Sequence, residues 1–314
     1  MKTTLHARGK LLLTAEYFVL DGALALALPL NKGQSMTVSA TPGIEPRLVW
    51  QSFDEKGNCW FSATFDLQNF DCVESPDAAI ASRLRQILCE AKQLNPSFPP
   101  PAACYKIQTE LTFPRQWGLG TSSTLIYLIA HWAKVDPLEL QLRTFGGSGY
   151  DVACAGAAGP VLYQLKNGRP HQEQCDFTPP FSEKLYFVYL GKKQDSRVGI
   201  NLYRQRKNTT QRSLEIEQIS GLTKEFLAVK TLAAFDELLR QHEKIVATAL
   251  GLPRAKDLYF QDFWGEVKSL GAWGGDFVLA TSGRPAAETR QYFNEKGFAV
   301  FLPYNSIVNG KMVR

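Results

Sequence analysis

PRQWGLGTSST, residues 114–124, is the stretch on which the reading of this chain turns. Gly118 and Gly120 stand two apart, four hydroxyl residues follow, and the apolar run LIYLIAHW, residues 125–132, begins at once. Closely spaced glycines accept positive φ, so backbone N–H groups can turn inward toward a ligand. A helix opening on such a loop adds the positive end of its dipole, where anions settle. Here the spacing predicts a helix from about Ser122 to Lys134, with the hydroxyls of Thr121, Ser122 and Ser123 at its mouth. The lysine that closes an ordinary G-x-x-x-x-G-K phosphate loop is missing, so the cation has to come from elsewhere in the chain.

Two further glycine-rich stretches and one lysine are candidates to complete the site. GGSGYDVACAGAAGP, residues 146–160, fails as a nucleophile elbow because Tyr150 stands where G-x-S-x-G needs its second glycine. Its chemical group is Asp151, placed after a flexible turn to accept a proton from a hydroxyl; an aspartate there also suits a helix N-cap. SLGAWGGDFVLATS, residues 269–282, carries Gly271, Gly274 and Gly275 into a strand, where a tight hairpin or a close ligand approach would each use them. Near the N-terminus, RGKLLLTAEYFVLDG places Lys10 and Glu16 around an apolar strand with a polar kink at Arg8-Gly9-Lys10.

The remainder reads as α+β. Strands are expected over residues 5–14, after the Asp21-Gly22 turn, and in SMTVSA, RLVWQSF, CWFSATFDL, CYKIQTEL and PVLYQL. A helix is expected after Ser75 and Pro76, with Ile80, Leu84, Ile87, Leu88 and Ala91 on one face. A short one is expected behind an Asp136 cap. The polar stretch 166–180 is the expected boundary between an N-terminal domain, residues 1–170, and a C-terminal domain, residues 171–314. That second half carries two long helices, the strands LYFVYLG, DFVLATS and AVFLPYN, and the helix PAAETRQYFNEK. The 314 residues carry a formal charge of +5, with no basic tract of the kind that binds nucleic acid. The longest apolar run is too short to span a bilayer. Six scattered cysteines with no CxxC pair fit reduced thiols in a cytoplasm. The four histidines have no metal spacing, and His131 reads as a core or helix-surface residue.

The order of these pieces resembles the GHMP kinases, the superfamily of galactokinase, homoserine kinase, mevalonate kinase and phosphomevalonate kinase. RGKLLLTAEYFVLDGALALALPL is similar to the family's first motif, PRQWGLGTSST to its ATP loop, GSGYDVA to the segment with the catalytic aspartate, and LGAWGGDFVLA to its third motif. GYDVA also resembles the signature of a bacterial GYDIA-type subgroup near the phosphomevalonate and mevalonate kinase branch. The resemblance implies an N-terminal domain like domain 2 of ribosomal protein S5, a ferredoxin-like C-terminal domain, and an active cleft between them. It implies ATP and Mg2+ as cofactors and a small-molecule acceptor, of the mevalonate or phosphomevalonate kind. Lys10 and Asp151 would be catalytic, with Lys10 lowering the pKa of Asp151. Pro114, Gly118, Leu119, Gly120, Thr121, Ser122 and Ser123 would hold the nucleotide, and Ser122 the metal. Glu16, Tyr17, Ser148, Gly149, Tyr150, Lys192, Lys193, Gly274 and Gly275 would lie toward the acceptor.

Departures from the family pattern are Thr121 for a serine, Ser123 and Thr124 for alanines, and Trp273 and Asp276 within the third motif. Glu139, the only acid after the cap in DPLELQLRTF, sits about one residue away from a metal-binding glutamate of mevalonate kinases. An ATP-dependent decarboxylase of the mevalonate diphosphate type and a catalytically silent ligand-binding relative share the scaffold, and a homodimer is compatible with it.

Overall fold

The computed structural model describes residues 2–42, 46–100, 104–192, 196–205 and 209–308. In chain order the elements begin with β1 (Lys2–Leu12), β2 (Ala25–Thr41), β3 (Arg47–Phe53), β4 (Cys59–Asp66), β5 (Cys72–Glu74), α1 (Ala78–Leu94) and β6 (Cys104–Leu111). Next come α2 (Thr121–Ala133), α3 (Pro137–Thr144), α4 (Tyr150–Ala155), β7 (Val161–Lys166), β8 (Arg169–Gln174) and β9 (Leu185–Tyr189). The last part holds α5 (Ser196–Gln205), α6 (Thr209–Ala228), α7 (Leu232–Leu250), α8 (Ala255–Tyr259), β10 (Val267–Leu270), β11 (Phe277–Thr281), α9 (Ala286–Glu295), β12 (Phe301–Pro303) and α10 (Tyr304–Ile307).

Strands β1 to β8 form one sheet in the order β5-β4-β3-β6-β2-β7-β8, with β1 paired to β2. The long strand β2 is shared. β1 runs antiparallel to it from Ala27 to Ser39, while its other edge takes β7 at Ala25–Ala27 and β6 from Gln34 to Thr41. The remaining strands make an antiparallel sheet in the order β10-β11-β9-β12. The chain leaves the first sheet after Gln174 and enters the second at Leu185; β8 is thus drawn from the polar stretch 166–180, whose alternation is too polar to announce a strand.

Sequence pattern explains the layers. The apolar face of α1 buries Ala81, Leu84, Ile87, Leu88 and Ala91, as its period demands, and packs with α2 and α3 over Leu48, Trp50, Phe65 and Ile107 of the first sheet. Its cap falls two residues later than Ser75: Asp77 accepts from Ala79 N (3.1 Å) and Ile80 N (3.0 Å). Asp77 wins because its carboxylate reaches two orphan N–H groups at once. Ser75 Oγ accepts from Asp77 N instead. A second core joins the two sheets, with Leu11, Leu26, Leu28, Leu119, Phe187, Phe226, Phe235 and Phe277 in continuous contact. The far face of the second sheet is closed by Phe260, Phe263, Phe293 and Phe301. Among the described residues no helix is long and apolar enough to cross a membrane.

Candidate active site

At Arg8-Gly9-Lys10 the β1–β2 register jumps from Arg8↔Gly33 to Lys10↔Pro29, so Gly9 alone faces three residues of β2 and the extra residues of this irregularity lie in β2. Such an irregularity interrupts the ladder and bends the strand pair locally. Lys10 N donates to Leu119 O (2.9 Å), so the β1 backbone at this break lies directly against the glycine loop. Gly9 is required there, since a Cβ would stand 2.9 Å from Leu119 O and 3.0 Å from Lys32 O. The Lys10 ammonium then donates to Gly118 O (3.1 Å), and its aliphatic stem rests on Gly120.

The loop itself is shaped by Gly118 (φ 68°) and Gly120 (φ 100°), which enter the left-handed region, and Gly120 is the N-cap of α2. A glycine cap brings no side chain to the first turn, so the N–H groups of Thr121, Ser122 and Ser123 face the loop mouth uncapped. The hydroxyls divide. Ser123 Oγ is buried and donates to Gly120 O (3.0 Å), and Thr124 Oγ1 is buried against Gln34 Oε1 (2.7 Å). Ser122 is exposed and Thr121 half-buried. Leu119 is a core residue, and Pro114 opens the short 3-10 turn Arg115–Trp117 that leads to the loop. Trp117 packs edge-on against Phe277 (5.5 Å between centroids) and Tyr189 Oη donates to Gln116 O (3.1 Å), which pins this loop to the second sheet.

Asp151 lies in the first turn of α4, which packs on β1 and α2. Gly149 (φ 87°), not Asp151, is the N-cap. Tyr163 of β7 donates its hydroxyl to Ser148 O and so fixes the turn before the helix. Asp151 Oδ1 accepts from Val152 N (3.1 Å). Its carboxyl is held above the ordinary carboxylate range because desolvation outweighs the attraction of Lys10, the strongest charge pulling it down. The expected lowering by Lys10 is therefore present, but burial wins. The Tyr150 ring lies under the Lys10 ammonium, 5.9 Å from ring centroid to Nζ.

The third glycine stretch completes the enclosure. In the turn before β11, Gly275 N donates to Ala272 O (3.1 Å), and Gly274 (φ 81°) has open space where a Cβ would be. Asp276 is buried and its carboxyl group lies against Gly118, so the first and last glycine loops are interlocked. Tyr17 is buried: its hydroxyl accepts from Trp273 N (2.8 Å), its ring stacks on Tyr203, and α5 passes so close that only Gly199 fits over it. Glu16 is also buried, in an ion pair with Lys268. Lys192 is exposed, its carbonyl accepting from Asp276 N (2.9 Å), and Lys193 lies outside the described residues. Glu139 is engaged on the surface by Arg143 Nε (2.7 Å). His131 is exposed on α2 with Nδ1 2.9 Å from Tyr127 O.

Lys10, the α2 mouth and Asp151 are thus brought together, whereas the Tyr17 hydroxyl is engaged by Trp273 N and Glu16 is buried against Lys268. Sequence reasoning missed Lys268, His242 and Glu243, which surround Glu16. Lys268 stands one residue before the third glycine stretch, but nothing in its spacing announces a partner 252 positions away.

The fold is shared with solved structures of a mevalonate kinase, a phosphomevalonate kinase and a galactokinase. A Lin0012 protein from Listeria innocua superposes with a TM-score of 0.74 at 14% identity, over 99% of this chain and 100% of the other. The Streptococcus pneumoniae phosphomevalonate kinase in complex with phosphomevalonate and AMPPNP gives 0.69 at 16% identity, over 95% and 99%. The Methanococcus jannaschii mevalonate kinase gives 0.68 at 15%, over 94% and 95%. No family model and no curated protein matches the sequence.

Proposed function

We propose that this chain is an ATP-dependent small-molecule kinase that transfers the γ-phosphoryl group to an alcohol or phosphate acceptor of the mevalonate or phosphomevalonate type. The observation that carries the reading is the convergence of Lys10 on the uncapped mouth of α2, with Asp151 in the field of the same ammonium. The fold shared with a phosphomevalonate kinase bound to an ATP analogue supports the nucleotide.

Phosphoryl transfer asks chiefly for positioning and charge neutralisation. The first-turn N–H groups of α2, the loop of Gly118, Leu119 and Gly120, and Thr121 would hold the triphosphate. Lys10 would neutralise charge developing on the transferred group. The exposed Ser122 hydroxyl suits a hard cation, and Mg2+ arriving with ATP would supply the remaining charge. Ser123 would act through the loop, since its hydroxyl is spent on Gly120 O. Asp151 would take the proton of the acceptor hydroxyl, and its raised pKa brings it nearer the working range of a general base. The acceptor would lie beside Tyr150, the Ser148–Gly149 turn and the open side of Gly274, with Lys192 at the rim. Tyr17 and Glu16 would shape that region from below. A lobe boundary between residues 174 and 185 would leave the cleft between the two sheets.

The test is ATP consumption with mevalonate, phosphomevalonate, homoserine and sugars as acceptors, followed by mass analysis of the product. A phosphorylated acceptor supports the kinase. Release of CO2 identifies the decarboxylase instead, and nucleotide binding without turnover on any acceptor identifies a ligand-binding relative.

A further inference from the structure

Four ionisable side chains meet in the interior where the turn after β1 crosses α7 and β10. Glu16 is 2% exposed, and His242, Glu243 and Lys268 are each 0% exposed. Lys268 Nζ is paired with Glu16 Oε1, donates to Ser269 O (2.9 Å), and stands 3.7 Å from Glu243 Oε1. Ser269 Oγ lies 3.3 Å from Glu243 Oε2. His242 Nε2 accepts from Ala15 N (2.8 Å). That bond fixes the imidazole as neutral with its proton on Nδ1, so the 3.5 Å approach of Nε2 to Glu16 Oε2 is not an ion pair. Glu16 Oε2, Glu243 Oε1 and His242 Nδ1 have no hydrogen-bond partner within the protein.

A charge count decides the state of the cluster. With His242 neutral, one ammonium faces two carboxyl groups, and a second buried carboxylate would be uncompensated at a cost of several kcal/mol. The ammonium is committed to Glu16, so Glu243 is the group that has to carry a proton.

We propose that the Glu16–Lys268 pair, completed by a protonated Glu243 and a neutral His242, is a positioning joint that holds the turn following the Lys10 strand to α7 and β10. Lys268 and Glu243 are then positioning residues: they reach the reaction only through residues 14–17 and the strand before them, a link that rests on the kinase reading of Lys10. The groups facing Glu243 are Glu16 from the turn, Lys268 and Ser269 from β10, His242 from its own helix, and more remotely Arg254 ahead of α8. Burial first, and Glu16 as an added negative charge, push Glu243 up to about 8, against the pull of Lys268. Near that pH the second carboxylate appears, competes with Glu16 for Lys268, and loosens the turn.

The test compares wild type with Glu243→Gln, the uncharged isostere of the protonated acid, by hydrogen exchange of the peptide covering residues 8–18 at pH 6.5 and 9. Each comparison is made at one pH, so intrinsic exchange rates cancel. At pH 6.5 the two proteins exchange alike; at pH 9 the wild-type peptide exchanges about tenfold faster, while Glu243→Gln stays protected. Lys268→Met, which removes the pin, raises exchange of that peptide at both pH values. Equal exchange of wild type and Glu243→Gln at pH 9 overturns the joint. MgATP affinity measured alongside separates the two ideas. If the exchange contrast holds but no MgATP binds at either pH, the joint stands and the kinase reading falls.

Discussion

Gly118→Ala is the most informative single change, because it loads one atom onto the contact between the first and last glycine loops. Gly118 has φ 68° and ψ 15°, a conformation that costs alanine about 1–2 kcal/mol. The new Cβ would stand 2.5 Å from the carboxyl carbon of Asp276, about 1 Å short of ordinary van der Waals contact. Asp276 is buried and cannot swing into solvent, so the loop has to move by a comparable distance. A 1 Å misplacement of a positioning element costs on the order of 100-fold, whereas the backbone strain is present with and without ligand and lowers stability instead. MgATP affinity, measured by titration calorimetry on protein that still melts cooperatively, should therefore fall on the order of 100-fold. Adding Asp276→Ala removes all three atoms in the way and should recover most of that loss, once the single Asp276→Ala variant has been measured as the third corner of the cycle. MgATP binding by Gly118→Ala within twofold of wild type would refute the interlocked-loop reasoning. Failure of the double variant to recover would show that Asp276 is not the obstacle.

Asp151→Asn should abolish turnover while MgATP affinity stays within about threefold, since the group acts on the acceptor; retention of most of the activity would remove Asp151 as the base. The base works deprotonated and its pKa is raised above the ordinary 3.8, so activity should fall with decreasing pH through a midpoint above that value. Lys10 pulls that pKa down, so the residual activity of Lys10→Met should show the acid limb displaced to higher pH, and Lys10→Arg should leave it nearly in place. Tyr17→Phe strands the buried N–H of Trp273 at a cost of about 1–3 kcal/mol, and calorimetric Tm should drop by about 2–4 °C for each kcal/mol lost.

Much of this site was legible because backbone geometry writes itself into residue choice. Gly118 and Gly120 announced a loop that only glycine can follow, and the hydroxyls behind them announced a helix, which starts at Thr121, one residue earlier than expected. Asp136 caps α3 through Glu139 N (2.8 Å), as its place before Pro137 implied. The Arg8-Gly9-Lys10 kink falls where the β1–β2 register breaks. What was not legible depends on distance along the chain. Nothing local says that Tyr17 will be covered by Gly199, that Asp276 will lean on Gly118, or that Glu16 will be neutralised by Lys268 rather than left for a substrate. Nor does an acid pattern reveal the sign of a pKa shift: Asp151 rises because burial exceeds the pull of Lys10, and burial is a property of the finished fold. The short helices α5 and α8 escaped because ten and five residues offer too few turns for a period to emerge.

The shared strand β2 has a consequence for synthesis of the protein. As the chain emerges from the ribosome, β1 and β2 can zip together at once, but the opposite margin of β2 stays bare until residues 104–111 and then 161–166 have been made. During that interval the nascent hairpin offers unpaired N–H and C=O groups from Gln34 to Thr41, a template for adhesion to other chains. Slowing translation between codons 42 and 104 should therefore lower the soluble yield more than an equal pause near the end of the message, when every partner of β2 has left the tunnel.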